Sequence, residues 1–308
     1  CIYVTAATDP EPPTPDAWSF DALLAEHIAD FSPIMRRAGI CYQSETDVDA
    51  LPVPARLARL REGHDDPGLI NLYFHFGRYL LLSSSRGSSL PANLQGIWCN
   101  VASNADNWNS DIHANINVQM NYWPVEVTNL SETHMPFLDY IINMSNSSPW
   151  KLYATDEGGQ TGWTTFTENN IFGGVGGFMH EYVIANAWYC THLWQHYRYT
   201  LDKKFMSRAF PSMLSATQFW LDRLVEDKKD GLSVCPKEFS PEHGPVEDAM
   251  PHAQQLVWEL FDNTLKAIEV LGVKGSGVDA KELELIRERF SKMDRGLRTE
   301  TYDGAWGE

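Results

Sequence analysis

Between Trp108 and Pro124 the sequence sets Asp111, His113, Asn115 and Asn117 at alternate positions, with Ile112, Ala114, Ile116 and Val118 between and after them. In an extended conformation these four polar side chains line one face. Amides donate and accept together, which suits fixing a sugar hydroxyl or a water. The pattern alone equally describes an edge strand with a solvated face. A second candidate is Lys237-Glu238-Phe239-Ser240-Pro241-Glu242-His243-Gly244-Pro245. Proline on both sides restrains the backbone around Glu242, and partial burial would raise its pKa into the range of a general acid. The rival reading is a helix start with Ser240 as N-cap and Pro241 at N1. His243 stands where a capping box needs Glu or Gln.

Other features point to chemistry less directly. His192 and His196 have the i, i+4 spacing of metal ligands, but no HExxH glutamate accompanies them, so packed or surface histidines are expected and no metal. Gly173-Gly174-Val175-Gly176-Gly177 has the glycine content of a phosphate loop without the Lys-Ser or Lys-Thr that would follow. Sequons at Asn129, Asn143 and Asn146 decide nothing about compartment. The five cysteines are widely spaced and never form a CxxC pair, which suggests neither a zinc site nor a dense disulfide framework.

These segments need elements to hold them. Leu23, Leu24, His27, Ile28, Phe31, Ile34 and Met35 recur at helical spacing, as do Leu69, Leu72, Tyr73, Phe76 and Leu80 behind Asp66-Pro67. Helices are also expected over 182–199, along the stripe from Phe210 to Val225, along that from Leu256 to Leu271, and over 282–293. Long loops are expected at 83–118, 145–180 and 227–250, and loops of such length are usually functional or disordered. Their Trp, Asn and Gly content favours ordered and functional. The opening Ile2-Tyr3-Val4-Thr5-Ala6-Ala7 reads as a strand followed by a Pro-rich linker, like the tail of a preceding domain.

Composition narrows the partners. The 308 residues are 43% hydrophobic, which is globular, and 24 Lys and Arg against 41 Asp and Glu give −17. Such a charge repels a phosphate backbone or an anionic membrane, so neither nucleic acid nor membrane is expected as partner. No apolar run is long enough to span a bilayer, and the N-terminus lacks the basic start and apolar stretch of a signal peptide. Aromatic residues make up 12% of the chain, and several stand in polar, Asn-rich segments. Flat faces beside amides and carboxylates suit a sugar ring, although aromatics are more often core.

Leu90-Pro91-Ala92-Asn93-Leu94-Gln95-Gly96-Ile97-Trp98, then His113-x-Asn115-x-Asn117, then Met120-Asn121-Tyr122-Trp123-Pro124-Val125-Glu126 resemble glycoside hydrolase family 95, the inverting α-1,2-L-fucosidases, which include α-L-galactosidases. Asp66-Pro67-Gly68-Leu69, Tyr79 to Arg86, Ala187-Trp188-Tyr189-Cys190-x-His192-Leu193-Trp194 and Ser240-Pro241-Glu242 continue the likeness. It implies a mainly α fold, a partial (α/α)6 barrel preceded by the last strand of a β-sandwich domain. Residues 1–8 would be the sandwich tail, 9–60 a Pro-rich linker and helical connection, and 61–308 the N-terminal part of the catalytic barrel.

The resemblance also implies roles. Glu242 matches the general acid, Asn115 and Asn117 the water- and base-orienting amides, and His113, Trp188 and Glu168 substrate-binding residues, with no cofactor. The family's base, an Asp in an Asp-Gly-Asn segment after a His-Arg-His block, has no counterpart in this sequence, so the chain is expected to be an inactive fragment. The implied substrate is a fucosylated or L-galactosylated oligosaccharide, and the implied location is extracellular or periplasmic. A non-hydrolytic glycan-binding protein and a non-enzymatic helical scaffold are the rival classes.

Overall fold

Asp202 and Asp279 each adopt extended backbone and turn a carboxylate onto the first free amides of the helix that follows. Asp202 accepts from Lys204 and Phe205, and Asp279 from Lys281 and Glu282, donors that no helical carbonyl can reach. Elsewhere proline opens the helix, as at Pro67, Pro136, Pro149 and Pro251. The computed structural model describes residues 19–43, 46–87, 90–98, 105–174, 176, 182–242 and 244–297. The expected N-terminal strand lies outside the described residues. Contacts divide the chain into two units, Cys1–Leu80 with Thr128–Leu130, and Leu81–Val127 with Ser131–Glu308.

The first unit holds α1 (Phe20–Met35), α2 (Thr46–Asp49), α3 (Val53–Arg61) and most of α4 (Pro67–Ser84). The two expected stripes form α1 and α4. Arg78 of α4 closes the C-terminus of α1, its Nη1 donating to the carbonyls of Met35 at 2.6 Å and Ala38 at 2.7 Å. Arg56 makes two bonds to the buried Asp66 carboxylate, at 2.8 and 2.6 Å, the paired geometry that favours Arg over Lys. α1 buries none of its residues, and Leu24 and Ile28 remain exposed.

The second unit follows a 3-10 turn at Ala105–Ser110 with β1 (Ile112–His113), α5 (Asn117–Tyr122), α6 (Pro124–Val127), α7 (Met135–Met144), α8 (Ser148–Asp156) and β2 (Glu168–Asn169). α9 (Ala185–Thr200) and α10 (Lys203–Arg223) come next, then β3 (Val225–Glu226), β4 (Ser233–Val234), β5 (Glu238–Phe239), β6 (Val246–Glu247), α11 (Pro251–Leu271), α12 (Val273–Ser276) and α13 (Ala280–Ser291). β1 pairs with β2, β3 with β4 and β5 with β6, all antiparallel. α9, α10 and α11 pack on one another, and α7 joins α9 and α10.

Trp150, Trp163, Tyr189, Phe219, Trp220 and Phe261 fill this core. Two of them are tied by their indole nitrogens: Trp163 Nε1 donates to the Ser212 carbonyl and Trp220 Nε1 to Asn186 Oδ1, both at 2.9 Å. The chain is mainly α, with the helices expected of a partial (α/α)6 barrel. The expected loops are more structured than their sequence suggests, and 83–118 itself holds the 3-10 turn and β1. Segment 145–180 contains α8 and β2, and 227–250 contains β4, β5 and β6.

Candidate active site

The alternating segment does not run extended. Only Ile112 and His113 are strand, Ala114 to Ile116 turn, and Asn117 opens α5. Inside α5, Gln119 Nε2 donates to the Ala114 carbonyl, which holds the turn closed. The single polar face of four residues is therefore overturned. What forms instead is a pairing with β2, where His113 stands opposite Glu168 and Ile112 opposite Asn169, and the Ala114 amide donates to the Thr167 carbonyl at 2.7 Å. His113 and Glu168, 55 residues apart by 168 − 113, thus become cross-strand neighbours. Asn115 is buried in the turn and Asn117 half-buried at the start of α5.

Asp111 fixes His113 from the other side, its Oδ2 at 2.9 Å from Nδ1. The carboxylate accepts from the Nδ1 side of the ring and so fixes the orientation of the imidazole. The other Asp111 oxygen is buried without a hydrogen-bond partner among the described residues. Asp111 and Glu168 both line a cavity of about 680 Å³, together with Asn93, Ile97 and Asn170.

Trp188 lies in the first turn of α9, half-buried. Its indole meets the ring of His252, in the first turn of α11, edge-on at 5.2 Å, and that of Trp123 at 6.5 Å. Trp123 directly follows α5, so the aromatic contacts join the end of α5 to the starts of α9 and α11.

Glu242 occupies the turn between β5 and β6, whose register sets Glu238 opposite Glu247 and Phe239 opposite Val246. No helix starts at Ser240, which removes that alternative. Glu242 is exposed, so the partial burial anticipated for an acid is not provided by the described residues. The turn is tight: the Gly244 amide donates to the Ser240 carbonyl at 2.9 Å, and a Cβ on Gly244 would stand 2.8 Å from that same oxygen. Met250, at the start of α11, packs on the same glycine.

Glu238, at the base of the hairpin, is fully buried and paired with Arg223 at 3.1 Å. Burial pushes its carboxyl up to about 8, against the pull of Arg223 and of the Val183 amide. Arg223 also donates to the Glu157 carbonyl at 2.5 Å, so the hairpin that carries Glu242 is tied to α10 and to the end of α8.

The described residues contain one cluster with the proximity of metal ligands, Glu126, His134 and His196, all buried. Glu126 Oε1 accepts from His134 Nδ1 at 2.8 Å and His196 Nδ1 at 2.7 Å, while Oε2 accepts from Ser131 Oγ. His134 Nε2 lies 3.0 Å from His192 Nδ1. Zinc holds such ligands at about 2.0–2.2 Å, hence a little over 3 Å apart around a tetrahedron. The shorter separations here are those of protons shared with one carboxylate, and the cluster is a hydrogen-bonded core network. His192 and His196 are packed histidines, as their lone spacing suggests. Glu126 is held to about 2: burial alone would raise it, but the bonds from His134, His196 and Ser131 outweigh that cost.

Sequence reasoning singled out Asp111 with its partner His113, and His192 and His196, but not His134, which bonds to both Glu126 and His192. It missed Glu238, Tyr182 and His252, whose contacts join segments tens of residues apart and leave no local pattern.

Residues 19–299 match the Glycosyl hydrolase family 95 catalytic domain. The chain belongs to glycosyl hydrolase family 95. Among family 95 relatives and similar proteins, "Probable alpha-fucosidase A" of Aspergillus niger is 35% identical over 306 residues, covering 94% of this chain and 37% of that protein. "Alpha-L-fucosidase 2" of Arabidopsis thaliana is 32% identical over 276 residues, covering 83% of this chain and 32% of its own length. The family 95 chain therefore spans about a third of the length of the curated relatives it matches. Among solved structures, "Putative kojibiose phosphorylase from human microbiome" shares the fold, with a TM-score of 0.62 at 10% identity, over 90% of this chain and 34% of that one.

Proposed function

We propose that the protein containing this chain is a glycosidase acting on fucosides, and that it releases terminal α-L-fucose from α-1,2 linkages with inversion. The observation that carries this reading is the placement of an exposed carboxyl, Glu242, on a tight hairpin turn anchored by Arg223, within a chain of glycosyl hydrolase family 95. In the proposed reaction the Glu242 carboxyl gives its proton to the glycosidic oxygen as the C1–O bond breaks. Asn115 and Asn117 orient a water that attacks C1 from the opposite face and passes its proton to a base. His113, Glu168 and Trp188 hold the sugar.

Inversion needs the base roughly 6.5–9.5 Å from the acid, with room for that water. The sequence contains no Asp-Gly-Asn segment. Within the chain, both oxygens of Glu126 are occupied by hydrogen bonds, and Asp111 holds His113 through one of its two oxygens. We therefore place the base outside these residues and expect the chain alone to be inactive. The substrate is a fucosylated oligosaccharide, with the L-galactosyl analogue, which adds a 6-hydroxyl, as the competing one. An extracellular or periplasmic location goes with this reading.

The test is Glu242→Gln in the full-length protein. Turnover of 2'-fucosyllactose should fall by about a hundredfold or more with binding retained, because the amide is isosteric but gives no proton. The loss should be smaller on a fucoside with a good leaving group. Equal losses on both substrates would show that Glu242 only positions the sugar.

A further inference from the structure

We propose that His252 contacts the sugar in this site, presenting its Nδ1–H as a hydrogen-bond donor beside Trp188. The inference rests on the glycosidase reading above and names a recognition residue that it does not contain. Its basis is the pairing of His252 with Tyr182. The phenol oxygen lies 3.0 Å from His252 Nε2, and the two rings stack at 5.7 Å with 27° between planes. Tyr182 is fully buried. Burial, reinforced by the nearby Glu238 carboxyl, raises its pKa well above 10, so it stays a phenol.

A buried phenol proton requires an acceptor, and His252 Nε2 is the partner Tyr182 has among the described residues. Donation from Tyr182 makes Nε2 an acceptor and leaves the ring proton on Nδ1. The opposite tautomer would leave the Tyr182 proton buried and unbonded. Half-burial of His252 lowers its pKa, which keeps the ring neutral and the tautomer defined near pH 7. Nδ1 has no partner among the described residues and is not sealed in the core. A donor is thus fixed in orientation and left open.

Its surroundings say what it meets. Trp188 lies at a steep angle to it at 5.2 Å, and beyond lies Trp123, 43% exposed. On the other side, Met250, two residues before His252, packs on Gly244, two residues after Glu242. The donor therefore adjoins a partly accessible aromatic pair, and the start of its own helix packs on the turn that carries the acid. A sugar ring presents an apolar C–H face to such a pair and an acceptor hydroxyl at its rim, which fits a pyranoside rather than a charged ligand.

Two measurements on the full-length protein test this. Long-range ¹H–¹⁵N spectra of the histidine rings, with the His252 signal assigned by its absence in His252→Asn, should show the Nδ1–H tautomer, and Tyr182→Phe should abolish the preference. An Nε2–H tautomer in the wild type overturns the proposal. On 2'-fucosyllactose, His252→Ala should raise KM about three- to tenfold, the worth of one neutral hydrogen bond, with kcat little changed. His252→Asn, whose amide nitrogen falls near Nδ1, should recover most of that loss, and His252→Gln, whose amide falls near Nε2, should not. Equal KM for Ala and Asn, or unchanged KM in all three, refutes the contact. If no fucosyl link is cleaved, the Kd for L-fucose by titration calorimetry in the same variants replaces KM, so that failure of the glycosidase reading and failure of the contact are told apart.

Discussion

Glu126 lies at the centre of the second unit's buried polar network, and its removal should be the most damaging single change there. The carboxylate accepts from His134, His196 and Ser131 with its side chain only 1% exposed. Glu126→Ala leaves those three donors without an acceptor in the core, a loss of about 3–5 kcal/mol for a broken buried pair. Glu126→Gln keeps the shape and one accepting oxygen, and should lose roughly 2 kcal/mol.

The pH dependence separates the members of the network. Burial lowers the pKa of His134 and His192 in the folded chain, so below the unfolded value near 6.5 the unfolded state takes up protons that the folded state does not. Stability then falls as pH drops below 6.5, by at most about 1.4 kcal/mol per pH unit for each ring. Glu126 acts in a lower window. Its pKa is held from 4.5 down to about 2, and that contribution of about 3 kcal/mol is complete above 4.5 and lost as pH falls towards 2. Urea unfolding of the wild type and of Glu126→Gln from pH 8 to 3 tests both windows. The variant should keep the loss between pH 6.5 and 5 and lack the one below 4.5. A wild-type stability that is flat from pH 7 to 5, or a Glu126→Gln protein as stable as the parent at pH 7, would refute this account.

Two further outcomes are expected. Tyr122→Phe should destabilise the second unit by about 1–3 kcal/mol, read from the urea midpoint. The Ser85 hydroxyl already donates to the Thr133 carbonyl, so the Tyr122 hydroxyl donates to Ser85 Oγ while accepting from the Ala92 amide, and its loss orphans that buried N–H. The 308-residue chain, shown to be soluble and folded, should release no fucose from 2'-fucosyllactose, and turnover like that of a full-length relative would place the base inside it.

Helices with long, clean stripes were legible. α1, α4, α9, α10, α11 and α13 all follow 3.6-residue apolar spacing, and α11 carries it from Val257 to Ile268 in buried positions. The short elements were not. α8 has polar residues on most of its surface and buries only Trp150 and Ala154, too few for a periodic signal, although Ser147-Ser148-Pro149 is a readable helix start. The alternation from Asp111 to Val118 misled for a physical reason. Period two was met by two strand residues, a three-residue turn and a helix start, and the cross-strand partner that ends the strand, β2, lies far along the chain. Glu242 and its flanking prolines marked a turn correctly, but the hairpin depends on Val246 pairing with Phe239 through strands only two residues long.

Several candidate site residues share one arrangement. Four of them, His113, Asn115, Glu242 and His252, stand on a short strand or turn or in the first turn of a helix, and each of these is held by a polar group as well as by apolar packing. Asp111 holds His113, Gln119 holds the turn containing Asn115, Tyr182 holds His252 beside Trp188, and Glu238 with Arg223 holds the hairpin of Glu242. Apolar contacts are non-directional and tolerate small shifts, whereas a hydrogen bond fixes orientation within a few tenths of an ångström and tens of degrees. A neutral ring or an amide that must meet a sugar hydroxyl needs that orientation, and the second partner fixes its tautomer as well as its place. This explains why the polar residues missed by sequence reading cluster behind those it found. Recognition chemistry can be read from residue types, and the groups that aim it lie close in sequence for His113 and for the turn of Asn115 but 70 residues away for His252.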